Sequence, residues 1–238
     1  MDGIDVSIIE SDGEQFTETI DDMYLKYDSQ LRSKLKKIVK LCSSKDNFIK
    51  LSKNIKEVEK EMTLRHGKAC NLILNKNKNI KIDLIGFHGQ TIIHKPQEGY
   101  SLQIGDPKLL SKFTNTTVVA NFRENDILNG GQGAPLASLY HYLILNKIRS
   151  KFPSAVINIG GISNITYSEK KNKITSFDTG PGNCLIDEWV KKHTGKDFDS
   201  EGAMARSGNV DKNILNKLLN ISYYKKKPPK SLDLSDFN

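Results

Sequence analysis

Residues 80–91 read IKIDLIGFHGQT, a mostly apolar run that ends in a polar turn. Such a run predicts a buried strand, and the turn after it places His88, Gln90 and Thr91 at the end of that strand. In α/β proteins, ligands bind beside the carboxyl ends of strands. The stretch therefore predicts an α/β fold with a hydrogen-bonding substrate loop after Phe87.

Helical and strand patterns alternate along the rest of the chain. Four segments have the apolar spacing or the turn signals of helices, namely residues 29–42, 47–64, 135–148 and 184–192. Five short segments are typical of strands, namely residues 6–10, 101–104, 116–120, 155–159 and 165–167. In the third helix we expect Leu136, Leu139, Leu143 and Ile144 to face inward. The pattern predicts two lobes, residues 1–150 and 151–238, divided near Arg149–Pro153.

Composition excludes several classes of protein. A chain of 238 residues with 37% hydrophobic residues can bury a sizeable core. Its apolar stretches fall far short of the roughly 20 residues that a membrane span needs, and the acidic N-terminus does not resemble a secretory signal. Cys42, Cys70 and Cys184 are widely spaced, which predicts neither disulfides nor a zinc site. We expect a cytoplasmic protein without membrane association.

The net charge of +8 arises mainly from lysine clusters such as residues 34–40 and 225–230. One interpretation is nucleic-acid binding, because clustered cations displace the counterions of phosphates, and it predicts salt-dependent association. The other is a solvated lysine-rich surface. Aromatic residues are not interleaved with the lysines, so the stacking platform of single-strand binders is missing and the second interpretation is favoured.

Residues 122–136, FRENDILNGGQGAPL, set a carboxylate beside a glycine-dense turn. Asp126 is a candidate general base, since a positioned carboxylate can accept a proton from water or a hydroxyl. The alternative is a surface ion pair or a helix cap. The glycines favour a site because they let the backbone approach a ligand closely. The planar fork of Arg123 suits an anionic group.

Two more glycine turns follow short strand-like runs, at residues 158–164, NIGGISN, and 178–183, DTGPGN. Their backbone N–H groups could cradle phosphate oxygens, and Asp178 could hold a metal-bound water or a sugar hydroxyl. A hairpin turn and a plain capped turn are the alternatives. His88 and His94 lie six residues apart without an adjacent acidic residue, which argues against a zinc site and favours a substrate hydrogen-bonding loop. For His94 the alternative is a structural histidine.

Together these stretches resemble one family. They comprise, in chain order, residues 86–91 with His94 and Pro96, 102–106, 122–136, 158–164, 178–183, and 228–231 with Phe237. On these motifs the chain is identified as a member of the anhydro-N-acetylmuramic acid kinase family.

The resemblance implies an actin/hexokinase-like ATPase fold with two α/β lobes. It implies that ATP, with Mg²⁺, phosphorylates O6 of 1,6-anhydro-N-acetylmuramic acid while water opens the anhydro ring, which gives N-acetylmuramic acid 6-phosphate for peptidoglycan recycling. A homodimer is expected. By resemblance Asp126 is the catalytic base, and no residue is assigned as a metal ligand. The sugar-binding residues are His88, Gln90, Thr91 and Arg123; the ATP- and phosphate-binding residues are Asp2, Gly3, Gly160, Gly161, Asn164, Asp178 and Gly180.

The family pattern also departs from this sequence at both ends. The family begins with a Gly-Thr-Ser-x-Asp-Gly-x-Asp phosphate loop, of which this chain carries the part around Asp2, Gly3 and Asp5. It also continues well beyond the motif at 228–231. From this comparison we expect a truncated chain with an incomplete second lobe and impaired activity. The alternative is a non-catalytic remnant or a sugar-binding fragment of such a kinase.

Overall fold

The computed structural model describes residues 2–148, 151–170 and 173–233, which form a mixed α/β protein. The chain divides into two compact units, Met1–Gly133 and Ala134–Asn238. Arg149, at the expected lobe boundary, and Phe237, in the last family motif, lie outside the described residues. The lobes expected at 1–150 and 151–238 stay a prediction.

The first unit contains three separate pairs of strands packed with helices. Strands β1 and β2 form an antiparallel hairpin, β3 and β6 pair in parallel, and β4 and β5 form a second antiparallel hairpin. The elements in order are β1 (Gly3–Ser11), β2 (Thr17–Lys26), α1 (Ser29–Leu41), α2 (Lys45–Lys50), α3 (Ser52–Lys76), β3 (Ile85–Gly86), β4 (Gln90–Lys95), β5 (Tyr100–Ile104), α4 (Pro107–Thr114), β6 (Val118–Val119) and α5 (Phe122–Leu128).

Side-chain caps fix where the helices of this unit begin. The carboxylate of Asp28 accepts the Leu31 N–H at the start of α1, at 2.8 Å. The Ser44 hydroxyl caps α2 and the Asp106 carboxylate caps α4, where Pro107 occupies the first turn. Each cap satisfies a backbone donor that the helix itself leaves unpaired. The Gly-Asp-Pro sequence at 105–107 therefore ends β5 and starts α4.

The core of the first unit lies between α1, α3 and the strand ends. Leu31, Leu35 and Met62 are fully buried, together with Ile104 and Leu110. Burial of such side chains stabilises the fold by roughly 1.5–3 kcal/mol each. Because Phe87 and Ile92 belong to the same cluster, the core holds both ends of the loop at 88–91.

The second unit is built on the antiparallel sheet β7-β8-β9. Its elements are α6 (Ser138–Lys147), β7 (Ser154–Ile159), β8 (Ile162–Lys170), β9 (Lys173–Pro181), α7 (Cys184–Thr194), α8 (Ala203–Ser207) and α9 (Lys212–Leu219). Helix α6 packs on all three strands, and its buried His141 hydrogen-bonds through Nδ1 to the Thr166 hydroxyl at 2.9 Å. Among the described residues, no helix has the length and apolar character that crossing a bilayer requires.

Several local predictions differ from the structure. The helix expected at 47–64 is two helices, α2 and α3, and the strand expected through 80–87 is paired only at Ile85–Gly86. The inward prediction is wrong for Leu136 and Leu139, which are 41% and 66% exposed. Leu143 and Ile144 are half-buried, and the buried residues are His141 and Leu145. Apolar residues surround α6 on most sides, so their spacing does not select the buried face.

Candidate active site

The parallel pairing of β3 and β6 brings two polar loops to the same edge. Ile85 lies opposite Val118 and Gly86 opposite Val119, and the Phe87 N–H donates to the Val119 carbonyl at 2.8 Å. Parallel strands end on the same side of a sheet. The loop after β3, which carries His88, therefore lies beside helix α5, which follows β6 and carries Arg123 and Asp126.

His88 is held by hydrogen bonds at both ring nitrogens. Its Nδ1 lies 2.8 Å from the Gly89 carbonyl oxygen, and the Arg123 Nε donates to its Nε2 at 2.9 Å. A carbonyl only accepts and a guanidinium only donates, so Nδ1 carries the proton and Nε2 is the acceptor. Burial, with the nearby Arg123 charge, lowers the pKa of His88 below 6.5 against the opposing bond to Gly89. His88 is therefore neutral near pH 7.

The glycine turn at 130–133 wraps around the Asp126 carboxylate. The Gly133 N–H donates to Asp126 Oδ2 at 2.7 Å, and the Gly131 N–H donates to the Asp126 carbonyl at 2.8 Å. The Gly133 carbonyl accepts from Arg123 Nη1 at 2.6 Å. Asp126 is thus fixed by its own loop, and the same loop is fastened to Arg123.

Gln90 and Thr91 begin β4, immediately after His88. The Gln90 amide donates to the Thr91 carbonyl at 3.1 Å. On the facing strand, the Gln103 amide donates to the Ser101 hydroxyl at 2.6 Å and reaches Thr91 Oγ1 at 3.5 Å. His94 is buried, and its Nδ1 lies 3.0 Å from the Ser101 hydroxyl oxygen. A polar row therefore extends from Thr91 along the β4–β5 hairpin.

Two residues of α3, missed by the sequence reasoning, support the turn after β5. Glu59 Oε1 accepts the Gly105 N–H at 2.9 Å, and Thr63 Oγ1 accepts the Asp106 N–H at 3.0 Å. The signal available in the sequence was their spacing: two polar residues four apart lie on a helix face that also carries buried Met62.

Asp2 and Gly3, assigned by resemblance to the phosphates, lie at the start of β1. Asp2 pairs with Arg32 at 2.8 Å, and its carbonyl accepts the Tyr27 N–H at 3.0 Å. Gly3 lies opposite Lys26, and a Cβ there would overlap the Leu25 carbonyl. The structure thus gives both residues contacts within the first unit, and their phosphate assignment stays a prediction.

In the second unit the two predicted glycine turns are joined by backbone hydrogen bonds. The Asn183 N–H donates to the Gly160 carbonyl and the Gly182 N–H to the Gly161 carbonyl, each at 2.9 Å. Asn164 lies opposite Asp178 on the neighbouring strand. Within the part of the chain that the structure describes, Asn164 Oδ1 is a buried acceptor without a hydrogen-bond partner. A buried acceptor of this kind suits a donor from a ligand or water.

Asp178 is buried and fastens the segment at 230–232 to β9. Its Oδ2 accepts the Leu232 N–H at 2.9 Å, its N–H donates to the Lys230 carbonyl at 3.2 Å, and its carbonyl accepts the Tyr223 hydroxyl at 2.6 Å. The ring of Tyr224 lies over Gly180. Asp178 therefore has a structural role here, which sequence reasoning did not anticipate, and its role toward phosphates is untested.

No group of three His, Cys, Asp or Glu side chains with the geometry of a metal site occurs within residues 2–148, 151–170 and 173–233. The polar atoms described at Asp126 and Asn164 are instead a carboxylate oxygen bound by one backbone N–H and a single buried amide oxygen.

The whole chain is similar to one family of known proteins. The description "Anhydro-N-acetylmuramic acid kinase" matches residues 1–238. The chain belongs to the anhydro-N-acetylmuramic acid kinase family. The family identified from the sequence motifs is thereby confirmed.

Individual members of the anhydro-N-acetylmuramic acid kinase family are similar over the whole chain. The protein of that name from Pelagibacter ubique is 46% identical over 244 residues, covering 100% of this chain and 64% of the relative. Those from Rhizobium etli and Agrobacterium fabrum are each 38% identical, over 240 and 241 residues, covering 100% of this chain and 65% of each relative. The chain thus spans just under two thirds of the length of these curated relatives.

Proposed function

We propose that this chain carries out the reaction for which its relatives are named, as an ATP-dependent sugar kinase. The substrate is 1,6-anhydro-N-acetylmuramic acid, and the product is N-acetylmuramic acid 6-phosphate, formed in peptidoglycan recycling. The observation that carries the proposal is the Asp126 carboxylate held by the Gly133 N–H at 2.7 Å, in a loop fastened to Arg123. Such fixation is what a general base requires.

Asp126 takes the proton from the water that attacks the anomeric carbon. The bond from that carbon to O6 breaks, and the released O6 attacks the γ-phosphorus of ATP, with ADP as the leaving group. The Gly133 N–H already donates a hydrogen bond to Asp126 Oδ2. We therefore assign the proton transfer in the proposed step to Oδ1. Gln90, Thr91 and Arg123 are the proposed sugar-binding residues, and His88 lies beside them as the acceptor of Arg123 Nε.

The nucleotide part of the proposal rests on the glycine turns of the second unit. Gly160, Gly161 and Asn164 would hold phosphate oxygens through backbone N–H groups and the Asn164 NH₂ group, in a turn whose Gly160 and Gly161 carbonyls are fixed by the Asn183 and Gly182 N–H groups. The buried Asn164 Oδ1, which has no hydrogen-bond partner within the described residues, would accept from a bound water. Mg²⁺ would neutralise phosphate charge, as in phosphoryl transfer generally. Asp2, Gly3, Asp178 and Gly180 complete the proposed nucleotide-binding set.

The proposal also includes features expected of the family. These are an actin/hexokinase-like ATPase fold, lobes at 1–150 and 151–238, a cytoplasmic location and a homodimer. We propose no nucleic-acid or membrane partner, since the lysine clusters are accounted for by a solvated surface.

The test of the reaction is turnover by Asp126→Asn. With ATP, Mg²⁺ and the anhydro-sugar, we expect ADP release and a product whose mass shows both added water and added phosphate. The substitution should lower kcat by about 10²–10⁴, the usual contribution of a general base. Glu124→Gln, on the exposed face of the same helix, is the matched control and should keep its kcat. Equal turnover by wild type and Asp126→Asn would refute the role of Asp126.

The sugar-binding fragment is the second candidate, because this chain covers 64% of a relative's length. Melting temperatures with anhydro-sugar and with Mg-ATP distinguish the two. A ligand at 100 times its Kd that binds only the folded protein stabilises it by about 2.7 kcal/mol. A shift with both ligands together with turnover supports the kinase, whereas a shift with sugar alone and no turnover supports the fragment.

A further inference from the structure

A continuous chain of hydrogen bonds leads from the loop after β3 to the Asp126 carboxylate. His88 is bound to the Gly89 carbonyl, Arg123 Nε donates to His88, Arg123 Nη1 donates to the Gly133 carbonyl, and the Gly133 N–H donates to Asp126. The three bonds from His88 to Asp126 measure 2.9, 2.6 and 2.7 Å. Every link lies within the first unit.

Both nitrogens of His88 are used by this chain. The imidazole has only two polar atoms, and the Gly89 carbonyl and Arg123 Nε occupy them. His88 therefore has no N–H group left to donate to a sugar hydroxyl and no ring nitrogen left to accept from one. The only side chain that hydrogen-bonds to the His88 ring, among the described residues, is Arg123.

We propose that His88 is a positioning residue that fixes the Asp126 carboxylate through Arg123 and the backbone carbonyl and N–H of Gly133, and that it does not itself bind the sugar. The kinetic part of this inference rests on the proposed function. The structural part, the tautomer of His88 and its effect on the Gly133 amide, does not.

Two substitutions at His88 separate positioning from sugar binding. In His88→Gln the amide oxygen reaches about the place of Nε2 and can accept from Arg123 Nε. In His88→Asn the shorter amide replaces Nδ1 instead, so Arg123 Nε loses its acceptor. We expect His88→Asn to lower kcat at least tenfold with the KM for the sugar within about twofold, since small displacements of a catalytic group lower the rate while ground-state binding is kept. His88→Gln should restore most of that loss.

A double substitution tests whether His88 acts through Arg123. In an Arg123→Met background, His88→Asn should change kcat by less than about twofold, because residues that act as one chain are not additive. Arg65→Met is the control, since Arg65 is an exposed arginine of the same unit paired with Asp28, and it should leave kcat unchanged. A rise in KM with unchanged kcat for His88→Asn, or additive losses in the double variant, would overturn the inference.

Nuclear magnetic resonance gives a readout that does not require turnover. In the wild-type chain the ¹⁵N shifts of His88 should show a neutral ring protonated at Nδ1. The Gly133 amide signal should move in His88→Asn and stay near its wild-type position in His88→Gln. A ring protonated at Nε2, or a Gly133 amide signal that stays at the same chemical shift in both variants, contradicts the inference. The expected signals in a chain without turnover would support it and contradict the proposed function alone.

Discussion

Residue 131 is a glycine because the Asp126 carboxylate occupies the space of its side chain. Gly130 and Gly133 adopt positive φ angles of 85° and 64°, which favour glycine for conformational reasons. Gly131 does not adopt a positive φ, and a Cβ built there would overlap all three atoms of the Asp126 carboxyl group. The constraint at 131 is therefore steric, and it acts directly on the proposed base.

Gly131→Ala should consequently impair catalysis more than folding. The added methyl group displaces the Asp126 side chain, and we expect kcat to fall by tenfold to a hundredfold. The free energy of unfolding should change by less than about 1 kcal/mol, since the displaced side chain is exposed and can rotate. Steady-state kinetics and urea unfolding measure the two effects. Gly208→Ala is the control, because its nearest contact would be an ordinary 3.6 Å. An unchanged kcat in Gly131→Ala would show that catalysis does not depend on the observed placement of the Asp126 carboxylate.

At the scale of residues, the sequence motif singles out Asp126 as the candidate base, which stays a prediction, but it does not indicate what holds this side chain. The spacing of Arg123 and Asp126 suggested an ion pair or a cap as the alternative to a site. The structure shows Asp126 bound by the Gly133 N–H, and Arg123 bound to both His88 and the Gly133 carbonyl. The link to His88 spans 35 residues and depends on the pairing of β3 with β6, which no local pattern encodes.

At the scale of elements, α3 supports the turn between β5 and α4. Its Thr63 is buried, donates to the Glu59 carbonyl at 2.7 Å and accepts the Asp106 N–H at 3.0 Å. The Asp106 carboxylate in turn caps α4 through Leu109 at 2.9 Å. One hydroxyl group therefore links two helices and the end of a strand.

Thr63→Val should destabilise the first unit by about 1–3 kcal/mol. The substitution keeps the shape of the side chain but leaves the half-buried Asp106 N–H without its acceptor beside the buried residue 63, and an unpaired donor in the interior costs about that much. The decrease should appear as a lower urea midpoint with an unchanged m-value. Thr114→Val is the matched control, because the Thr114 hydroxyl makes a bond to the Leu110 carbonyl within its own helix, at 2.9 Å. Equal midpoints for the two variants would contradict the linking role of Thr63.

Elements with a local signal were predictable, and those defined by distant partners were not. Helix α1 follows from Leu31, Leu35 and Ile38 at helical spacing, and all three are buried. Strand β2 was missed because it gains its hydrogen bonds from β1, and most of its residues are exposed. The support of Gly105 by Glu59, 46 residues away, likewise depends on tertiary packing.

At the scale of the whole molecule, three histidines respond to acid in the same direction. Burial lowers the pKa of His66 and of His141, as burial and the Arg123 charge do for His88. His66 lies against the Phe87 ring with centroids 5.1 Å apart, and His141 is hydrogen-bonded to Thr166. They occur in both units, so each unit contains at least one histidine that folding keeps neutral.

The melting temperature should therefore fall as the pH is lowered from 7.5 to 5.5. Below the ordinary histidine pKa of about 6.5, the unfolded chain binds protons that the folded chain does not yet accept. Stability is thus full above that value and decreases with falling pH until the lowered native pKa values are reached. Calorimetry or fluorescence melting over this range measures it. His66→Gln should show a shallower dependence, and a wild-type melting temperature that is flat or rises toward pH 5.5 would contradict the prediction.

Gly133 joins Arg123 to Asp126 through main-chain atoms alone: its carbonyl accepts from Arg123, and its N–H donates to Asp126. Any substitution other than proline keeps both its N–H and its carbonyl, but it strains the φ of 64° and places a Cβ 2.9 Å from the Ile127 side chain. Mutagenesis at 133 therefore tests the shape of the loop and not the contact itself, which only an amide-to-ester replacement would remove. The bond that orients the proposed base is therefore supplied by the backbone and comes with the path of the chain through this turn.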